Sequence, residues 1–247
     1  MNIVIPMAGK GSRFEMAGYA KPKPFIDVDG KPMISRVIDN LYYPGAKYYL
    51  IARHDHIEQE KELVEQIKET YDAEFIPIKD ITEGTACTVL FARKYINNSS
   101  PLLIANSDQL VDTSIEAFVN DCFIRNLDGS ILCFIDKEKN PKWSFAKTGK
   151  NGILTEVKEK LAISDLATVG IYLFSKGSVF VDAAIDMIVR NERVNNEFYT
   201  CPVYNYAIKN GYRFGVYNIS ESGMHGLGTP EDLVAYLAAL FIQKTKS

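Results

Sequence analysis

The chain has 247 residues, of which 47% are hydrophobic and 24% are charged, so it is typical of globular proteins rather than disordered ones. Its 28 basic and 31 acidic side chains give a formal charge of −3, which provides no general attraction for nucleic acid. The first residues do not resemble a secretory signal, and no apolar run approaches the roughly 18 residues of a membrane span. We expect a cytoplasmic enzyme with no nucleic-acid or membrane partner, either monomeric or a homo-oligomer.

Cysteine and histidine do not form a recognisable metal motif. The four cysteines are far apart and form no C-x-x-C pair, so we predict neither a zinc site nor a disulfide framework and expect buried thiols. His54 and His56 lie in a polar segment and are expected to be solvated loop residues rather than metal ligands.

Strands and helices alternate in the first half of the chain. Apolar runs predict strands at residues 2–7, 47–52, 73–78 and 101–106, and helical patterns occupy residues 32–42, 56–71 and 85–93. The glycine-rich stretch at residues 8–14 is predicted to be a loop. Alternation with short connections is typical of a parallel sheet with right-handed crossovers.

The pattern changes after residue 128. Strand-like runs at residues 129–135, 143–148, 152–160 and 167–174 follow one another with only turns between them, which predicts antiparallel strands. Helices at about 177–190 and 199–210, a strand at 213–219 and a helix from Thr229 complete the chain. We predict one α/β domain over residues 1–247, in which a mostly parallel, Rossmann-like mixed sheet has helices on both faces and a β-rich second half.

The loop after the first strand is the first place to look for chemistry, because open parallel sheets bind ligands beyond the carboxyl ends of their strands. It reads AGKGSRF, and its glycines would let the backbone approach a polyphosphate that Lys or Arg neutralises. The third glycine of a dinucleotide fingerprint is missing, and the spacing does not match a P-loop. Taken alone, the loop is also compatible with a tight basic turn that binds nothing.

A second segment decides between these interpretations. Lys21-Pro22-Lys23-Pro24-Phe25 carries two lysines on a stretch that prolines stiffen. Together with the glycine loop and with D-G-K-P-M-I before a helix, it resembles the sugar-phosphate nucleotidyltransferase family, whose signature is A-G-x-G-x-R followed by P-K-P. The resemblance covers most of the chain and implies a GT-A-like fold. It assigns nucleotide binding to residues 1–128 and acceptor binding to residues 129–247.

The resemblance also implies a reaction, in which NMP passes from an NTP to a phosphorylated acceptor and pyrophosphate leaves. Arg13 would bind the β- and γ-phosphates and Lys23 the transferred α-phosphoryl group, which makes both catalytic. Asp108, after the fourth strand, would coordinate the Mg²⁺ cofactor. The full set of residues implied to bind nucleotide is Met7, Ala8, Gly9, Gly11, Ser12, Arg13, Lys23, Glu83, Gly84 and Thr85, with Thr85 as a candidate N-cap.

The acceptor is implied to contact Glu159, Lys160 and Gly170. Glycine inside a strand often marks the close approach of a ligand, although the alternating charges before Lys160 are also typical of a solvated edge strand. One departure concerns the metal, since many members carry a second metal-binding aspartate where this chain has Gly226. Glu221, residues 195–197 and His225 are alternative sources of that ligand; otherwise Asp108 would act with water and phosphates alone.

The donor and acceptor are predicted from finer similarities. The K-P-K-P form and the compact length are similar to cytidylyltransferases, including small capsule-cluster enzymes such as CTP:phosphoglutamine cytidylyltransferase. We therefore expect CTP as donor and phosphoglutamine or a sugar-1-phosphate as acceptor, in capsule or surface polysaccharide synthesis. Uridylyl or thymidylyl transfer to a sugar-1-phosphate is the alternative. A glycosyltransferase of the same architecture and a catalytically silent ligand-sensing domain are the other classes considered.

Overall fold

A nine-stranded mixed sheet forms the centre of the protein, described by a computed structural model over residues 1–246. The strands are β1 (Asn2–Pro6), β2 (Asp27–Val28), β3 (Lys31–Pro32), β4 (Lys47–Arg53), β5 (Ala73–Ile78), β6 (Leu102–Ala105), β7 (Gln109–Val111), β8 (Gly129–Ile135), β9 (Phe145–Thr148), β10 (Leu154–Lys158), β11 (Leu166–Phe174), β12 (Phe214–Asn218) and β13 (Met224–Gly226). The α-helices are α1 (Ser12–Met16), α2 (Met33–Asn40), α3 (His54–Gln59), α4 (Lys61–Thr70), α5 (Thr85–Val89), α6 (Arg93–Ile96), α7 (Ile115–Ile124), α8 (Gly177–Val189), α9 (Val203–Lys209) and α10 (Pro230–Lys246).

The first half forms the predicted parallel sheet. β1 pairs in parallel with β4 and β6, and β4 pairs in parallel with β5. Successive side chains of a strand point to opposite faces, and here Ile3 and Ile5 join one hydrophobic cluster while Val4 joins the other. All three are fully buried because helices cover both faces of the sheet, as the alternating pattern predicts.

The second half adds the predicted antiparallel strands. β11 pairs antiparallel with β8 along one edge and with β9 and β6 in succession along the other, and β10 pairs antiparallel with β9. β12 then joins β8 in parallel. The carboxyl ends of β1 and β6 and the middle of β11 consequently meet at one place, where β6 runs into Asn106 and Asp108.

Several predicted boundaries were wrong. The loop predicted over 8–14 ends in helix α1, because Gly11 adopts the left-handed conformation that caps this helix. The single helix predicted over 56–71 is broken at Glu60 into α3 and α4, where Glu60 pairs with Lys21. The helix predicted over 199–210 begins only at Val203.

The two histidines were also placed wrongly. His54 and His56 lie in the first turn of α3 rather than in a solvated loop. Burial lowers the pKa of His56. The expected burial of the thiols is confirmed, since Cys122, Cys133 and Cys201 are buried and Cys87 is half-buried. Within residues 1–246, no helix combines the length and the apolar character needed to cross a bilayer.

Candidate functional site

A cleft of 510 Å³ opens at the carboxyl end of β1, with the glycine loop as one wall. Gly11 has φ +67°, and a Cβ atom there would lie 3.4 Å from Cβ of Lys23. The left-handed backbone of this turn favours glycine, whereas a Cβ atom would make only an ordinary contact with Lys23. Most residues predicted to bind nucleotide line this cleft, namely Met7, Gly9, Gly11, Ser12, Arg13, Lys23 and Thr85, while Ala8 is buried beside it.

Lys23 and Asp108 meet across the cleft. The Lys23 Nζ donates to Asp108 Oδ2 at 2.5 Å and to the Gly228 carbonyl oxygen at 3.2 Å. Its side chain is only 16% exposed, so the ammonium is held in one place. Lys21 differs, because it is half-exposed and its Nζ lies 3.4 Å from a Glu60 carboxylate oxygen. Of the two lysines in the proline-rich motif, Lys23 is the one that faces the cleft.

Glu83, Gly84 and Thr85, which are predicted to bind nucleotide, are hydrogen-bonded to a later loop that contains Phe198 and Thr200. Gly84, not Thr85, is the N-cap of α5, and the Thr85 hydroxyl instead accepts a hydrogen bond from the Thr200 backbone N–H at 3.0 Å. The Phe198 N–H donates to the Glu83 carbonyl at 2.7 Å. The Glu83 carboxylate turns outward and lies 2.8 Å from Nη2 of Arg193, so its side chain does not line the cleft.

Gly84 packs so closely against the Phe198 backbone that no side chain fits there. Its φ is +128°, and a Cβ atom would lie 2.4 Å from the Phe198 carbonyl oxygen. We expect Gly84→Ala to lower the free energy of unfolding by about 2 kcal/mol or more, because the backbone conformation favours glycine and the clash is with backbone. Urea unfolding measures this. Gly9→Ala is the control, since a Cβ at Gly9 has nothing within 4 Å, and equal stability of the two variants would contradict the prediction.

A second cavity of 630 Å³ adjoins the first. Arg13, Asp108 and Tyr199 line both cavities, so ligands in the two would meet at these side chains. Glu159, predicted to contact the acceptor, lines the second cavity and accepts a hydrogen bond from the Ser144 hydroxyl. Lys160 does not line this cavity itself. Its Nζ donates to the hydroxyl of Tyr199, which does, at 2.7 Å.

Gly170 lines the second cavity, but neighbouring side chains account for its lack of a Cβ. It has φ +91°, and a Cβ atom would lie 2.2 Å from Asn106 Nδ2 and 2.5 Å from Gln109 Oε1. These two side chains are hydrogen-bonded to each other at 3.0 Å. The glycine therefore lets the end of β6 pack against β11, and an acceptor-binding role for it stays a prediction.

Burial raises the pKa of Glu159, a shift that the Ser144 hydroxyl and Lys160 oppose. A carboxyl group with a raised pKa contributes its full stability below the ordinary value of 4.5 and loses it as pH rises through the raised value. We therefore expect Glu159→Gln to unfold with less pH dependence than the wild type and to be at least as stable at neutral pH. Urea unfolding across this pH range is the measurement. Glu156→Gln, in the preceding strand β10, is the control. A Glu159→Gln profile that overlies the wild-type profile would contradict the prediction.

Trp143, Tyr199 and Asp232 are among the side chains of the second cavity that sequence reasoning missed. Trp143 is the only tryptophan in the chain, which is a signal that could have drawn attention to it. Asp232 lies in the first turn of the helix predicted from Thr229, where an acidic side chain is common and signals no site. Tyr199 gave no signal, because it reaches the cleft through the fold of the loop before α9.

The alternative sources of a second metal ligand are engaged elsewhere. His225 Nε2 lies 2.9 Å from an Asp112 carboxylate oxygen. The Tyr199 hydroxyl donates to the Glu197 carboxylate. Glu221 lines a separate surface cavity with Ile135. None of these three side chains is among those that line the cleft beside Asp108.

Comparison with known proteins identifies the family. Residues 3–240 match the sequence model of the family described as Nucleotidyl transferase. The chain belongs to this family. The resemblance predicted from the glycine loop and the lysine motif is therefore confirmed, over nearly the whole chain.

Individual relatives of the chain agree with this family assignment. It is 31% identical over 175 residues to the bifunctional protein GlmU of Methanococcus aeolicus, an alignment that covers 70% of this chain and 40% of that protein. It thus spans less than half the length of that relative. It is 26% identical over 216 residues to the UTP–glucose-1-phosphate uridylyltransferase AglF of Haloferax volcanii, with 78% of this chain and 85% of that protein covered.

Solved structures confirm the GT-A-like α/β fold. The nucleoside-diphosphate-sugar pyrophosphorylase of Vibrio cholerae RC9 superposes with a TM-score of 0.83 at 25% identity, covering 96% of this chain and 99% of that one. A UDP-glucose pyrophosphorylase complexed with UDP-glucose superposes with a TM-score of 0.77, and its 17% identity supports the fold alone.

Proposed function

We propose that this nucleotidyl transferase moves the NMP group of an NTP onto a phosphorylated small molecule and releases pyrophosphate. The observation that carries the proposal is the meeting of Arg13, Lys23 and Asp108 where the two cavities join. A basic glycine loop suits a triphosphate, and the adjoining cavity, with Glu159 and the Trp143 ring, suits an acceptor. The catalytic and binding roles of these residues are part of this proposal.

The chemistry needs positioning and positive charge more than proton transfer. An acceptor phosphate oxygen is already anionic, so it attacks the α-phosphorus without a general base and breaks the bond to the leaving pyrophosphate. Charge then develops on the oxygens around the α-phosphorus and on the leaving group. Lys23 would stabilise the first and Arg13 the second, since fixed cations act where charge develops.

Asp108 fits the Mg²⁺ that the family resemblance implies. Its carboxylate borders both cavities, and its side chain is 24% exposed, so phosphate oxygens and water can reach it. In the part of the chain that the structure describes, no three His, Cys, Asp or Glu side chains form a metal cluster. A site poor in carboxylates suits Mg²⁺, which takes one or two and completes its coordination with phosphates and water. When bound, the ion would neutralise charge on the triphosphate.

The donor and acceptor are supported by different observations. The K-P-K-P motif favours CTP, whereas the name of the Haloferax relative, a UTP–glucose-1-phosphate uridylyltransferase, favours UTP, so the two donors are comparably supported. The same name and that of the Vibrio structure favour a sugar-1-phosphate acceptor. Phosphoglutamine and a role in capsule synthesis rest on sequence similarity alone. The carboxylate of Glu159 suits either sugar hydroxyls or an amine.

A pyrophosphate-release assay tests the proposal. The purified protein with Mg²⁺ would be given each of CTP, UTP, dTTP, ATP and GTP together with glucose-1-phosphate, N-acetylglucosamine-1-phosphate, phosphocholine or phosphoglutamine. We expect pyrophosphate release that requires both a donor and an acceptor, with CTP or UTP most active. Release of a nucleoside diphosphate from a nucleotide-sugar, with no pyrophosphate from any pair, would instead indicate a glycosyltransferase.

A further inference from the structure

Asp232 is held rigidly at the edge of the second cavity. It is the third residue of α10, and its Oδ2 accepts a hydrogen bond from the Thr229 N–H at 3.0 Å. The Thr229 hydroxyl accepts in return from the Asp232 N–H at 3.1 Å. This reciprocal pair is a capping box. It occupies one of the roughly four lone-pair positions of the carboxylate, so the cap leaves the carboxylate able to accept other ligands.

The carboxylates of Asp232 and Asp108 converge on one space. A Cβ atom on Gly228 would lie 3.4 Å from Asp108 Oδ2 and 3.7 Å from Asp232 Oδ2. Both oxygens are therefore within 4 Å of a single point, which glycine leaves without a side chain. The loop that holds Gly228 is fixed to Asp108, because the Leu227 N–H donates to the Asp108 carbonyl at 2.7 Å. The pair thus comes from two elements that the backbone ties together.

Gly226 lies beside the same space. A Cβ atom there would be 3.9 Å from Cγ of Asp232 and 4.0 Å from its Oδ2, and φ of Gly226 is not positive. An aspartate at position 226 would therefore extend its carboxylate toward the place that the Asp232 carboxylate occupies. Position 226 lacks a carboxylate, and Asp232 of α10 supplies one at the same place.

We propose that Asp232 is the second carboxylate of the metal site, so that a divalent cation bound with the nucleotide is held between Asp108 and Asp232. The proposal rests on the proposed function for the presence of the cation. Two carboxylates together with phosphate and water oxygens form the oxygen-only ligand set that hard divalent cations prefer. The first turn of α10 thereby serves both as a helix cap and as part of the site.

Binding of Mn²⁺ in the presence of CTP or UTP tests this without an acceptor or turnover. Free Mn²⁺ would be measured by electron paramagnetic resonance during titration of the wild type, Asp232→Asn and the double variant Gly226→Asp/Asp232→Asn. Asparagine keeps an oxygen that can accept from Thr229 but removes the charge, so circular dichroism and the urea midpoint should change little. Glu231→Gln removes the neighbouring acidic group of the same helical turn and is the matched control.

We expect Asp232→Asn to weaken Mn²⁺ binding by about tenfold or more. Replacing a residue that only hydrogen-bonds to a metal ligand already lowers metal affinity by about 10–100-fold. The double variant should regain most of that loss, and Glu231→Gln should bind as the wild type does. Unchanged binding by a folded Asp232→Asn would overturn the inference, and so would a folded double variant that recovers nothing. Wild-type protein that releases pyrophosphate while Asp232→Asn binds Mn²⁺ normally would leave the proposed function standing. Wild-type protein that neither binds Mn²⁺ with nucleotide nor releases pyrophosphate would overturn both.

Discussion

Replacing Arg13 or Lys23 by alanine is expected to lower the rate of nucleotidyl transfer by about 10²–10³-fold, the loss typical of a single electrostatic group that stabilises a transition state. Arg13 borders both cavities, and Lys23 is held by Asp108 and the Gly228 carbonyl at the point where they join. Initial rates of pyrophosphate release at saturating substrates measure the loss. The fold should remain in Arg13→Ala, because this side chain is exposed. For Lys23→Ala, which breaks a largely buried ion pair with Asp108, circular dichroism and the urea midpoint establish that the variant is folded.

Lys21→Ala is the matched control for these variants. Lys21 lies on the same proline-stiffened stretch but pairs with Glu60 on the surface. It should retain a rate within about twofold of the wild type, an effect of about 0.4 kcal/mol on the barrier. A variant of Arg13 or Lys23 that kept nearly full activity would show that the role assigned to that residue is wrong.

Asp108→Asn is expected to remove activity together with its dependence on Mg²⁺. The amide is nearly the same size as the carboxylate and can still accept from Lys23, but it lacks the negative charge that a hard cation needs. The measurement is a titration of Mg²⁺ against rate, joined to Mn²⁺ binding with nucleotide. We expect a loss of at least about 10²-fold in rate, as for other groups that act on transition-state charge.

Asp112→Asn is the control for this second prediction. Asp112 follows β7 as Asp108 precedes it, but its carboxylate is 67% exposed and pairs with His225. Its Mg²⁺ titration should overlie that of the wild type. If the Asp108→Asn titration also did so, the metal would have to bind elsewhere in the protein.

The sequence predicted the strands better than their partners. Apolar runs place β1, β4 and β6 correctly because a parallel strand buried on both faces is largely apolar. β5, an edge strand that is only half-buried, also falls where its apolar run predicts. The position of β11, with β8 along one edge and β6 and β9 along the other, was not predictable, since strand pairing between distant segments leaves no local pattern. The break at Glu60, which separates α3 from α4, likewise leaves no mark in the helical pattern.

The candidate site shows the same contrast between residues of a local motif and residues from distant segments. Gly11, Arg13 and Lys23 lie close together in the chain within a motif, and the structure brings them together as predicted. Tyr199 and Asp232 come from distant segments, and only the fold shows that they reach the cleft. Asp232 also had a sufficient local explanation as the partner of Thr229 in a helix cap, which concealed its second position beside Asp108.

The central claim is attack at the α-phosphorus of an NTP, and label transfer tests it most directly. Wild-type protein would be incubated with Mg²⁺, an acceptor from the panel, and CTP or UTP labelled at either the α- or the γ-phosphorus. The account predicts that the α label appears in a nucleoside-diphosphate-linked acceptor and the γ label in pyrophosphate, in equal amounts. Label from the γ-phosphorus appearing in inorganic phosphate or in the acceptor, or NTP left intact while a nucleotide-sugar is consumed, would contradict it.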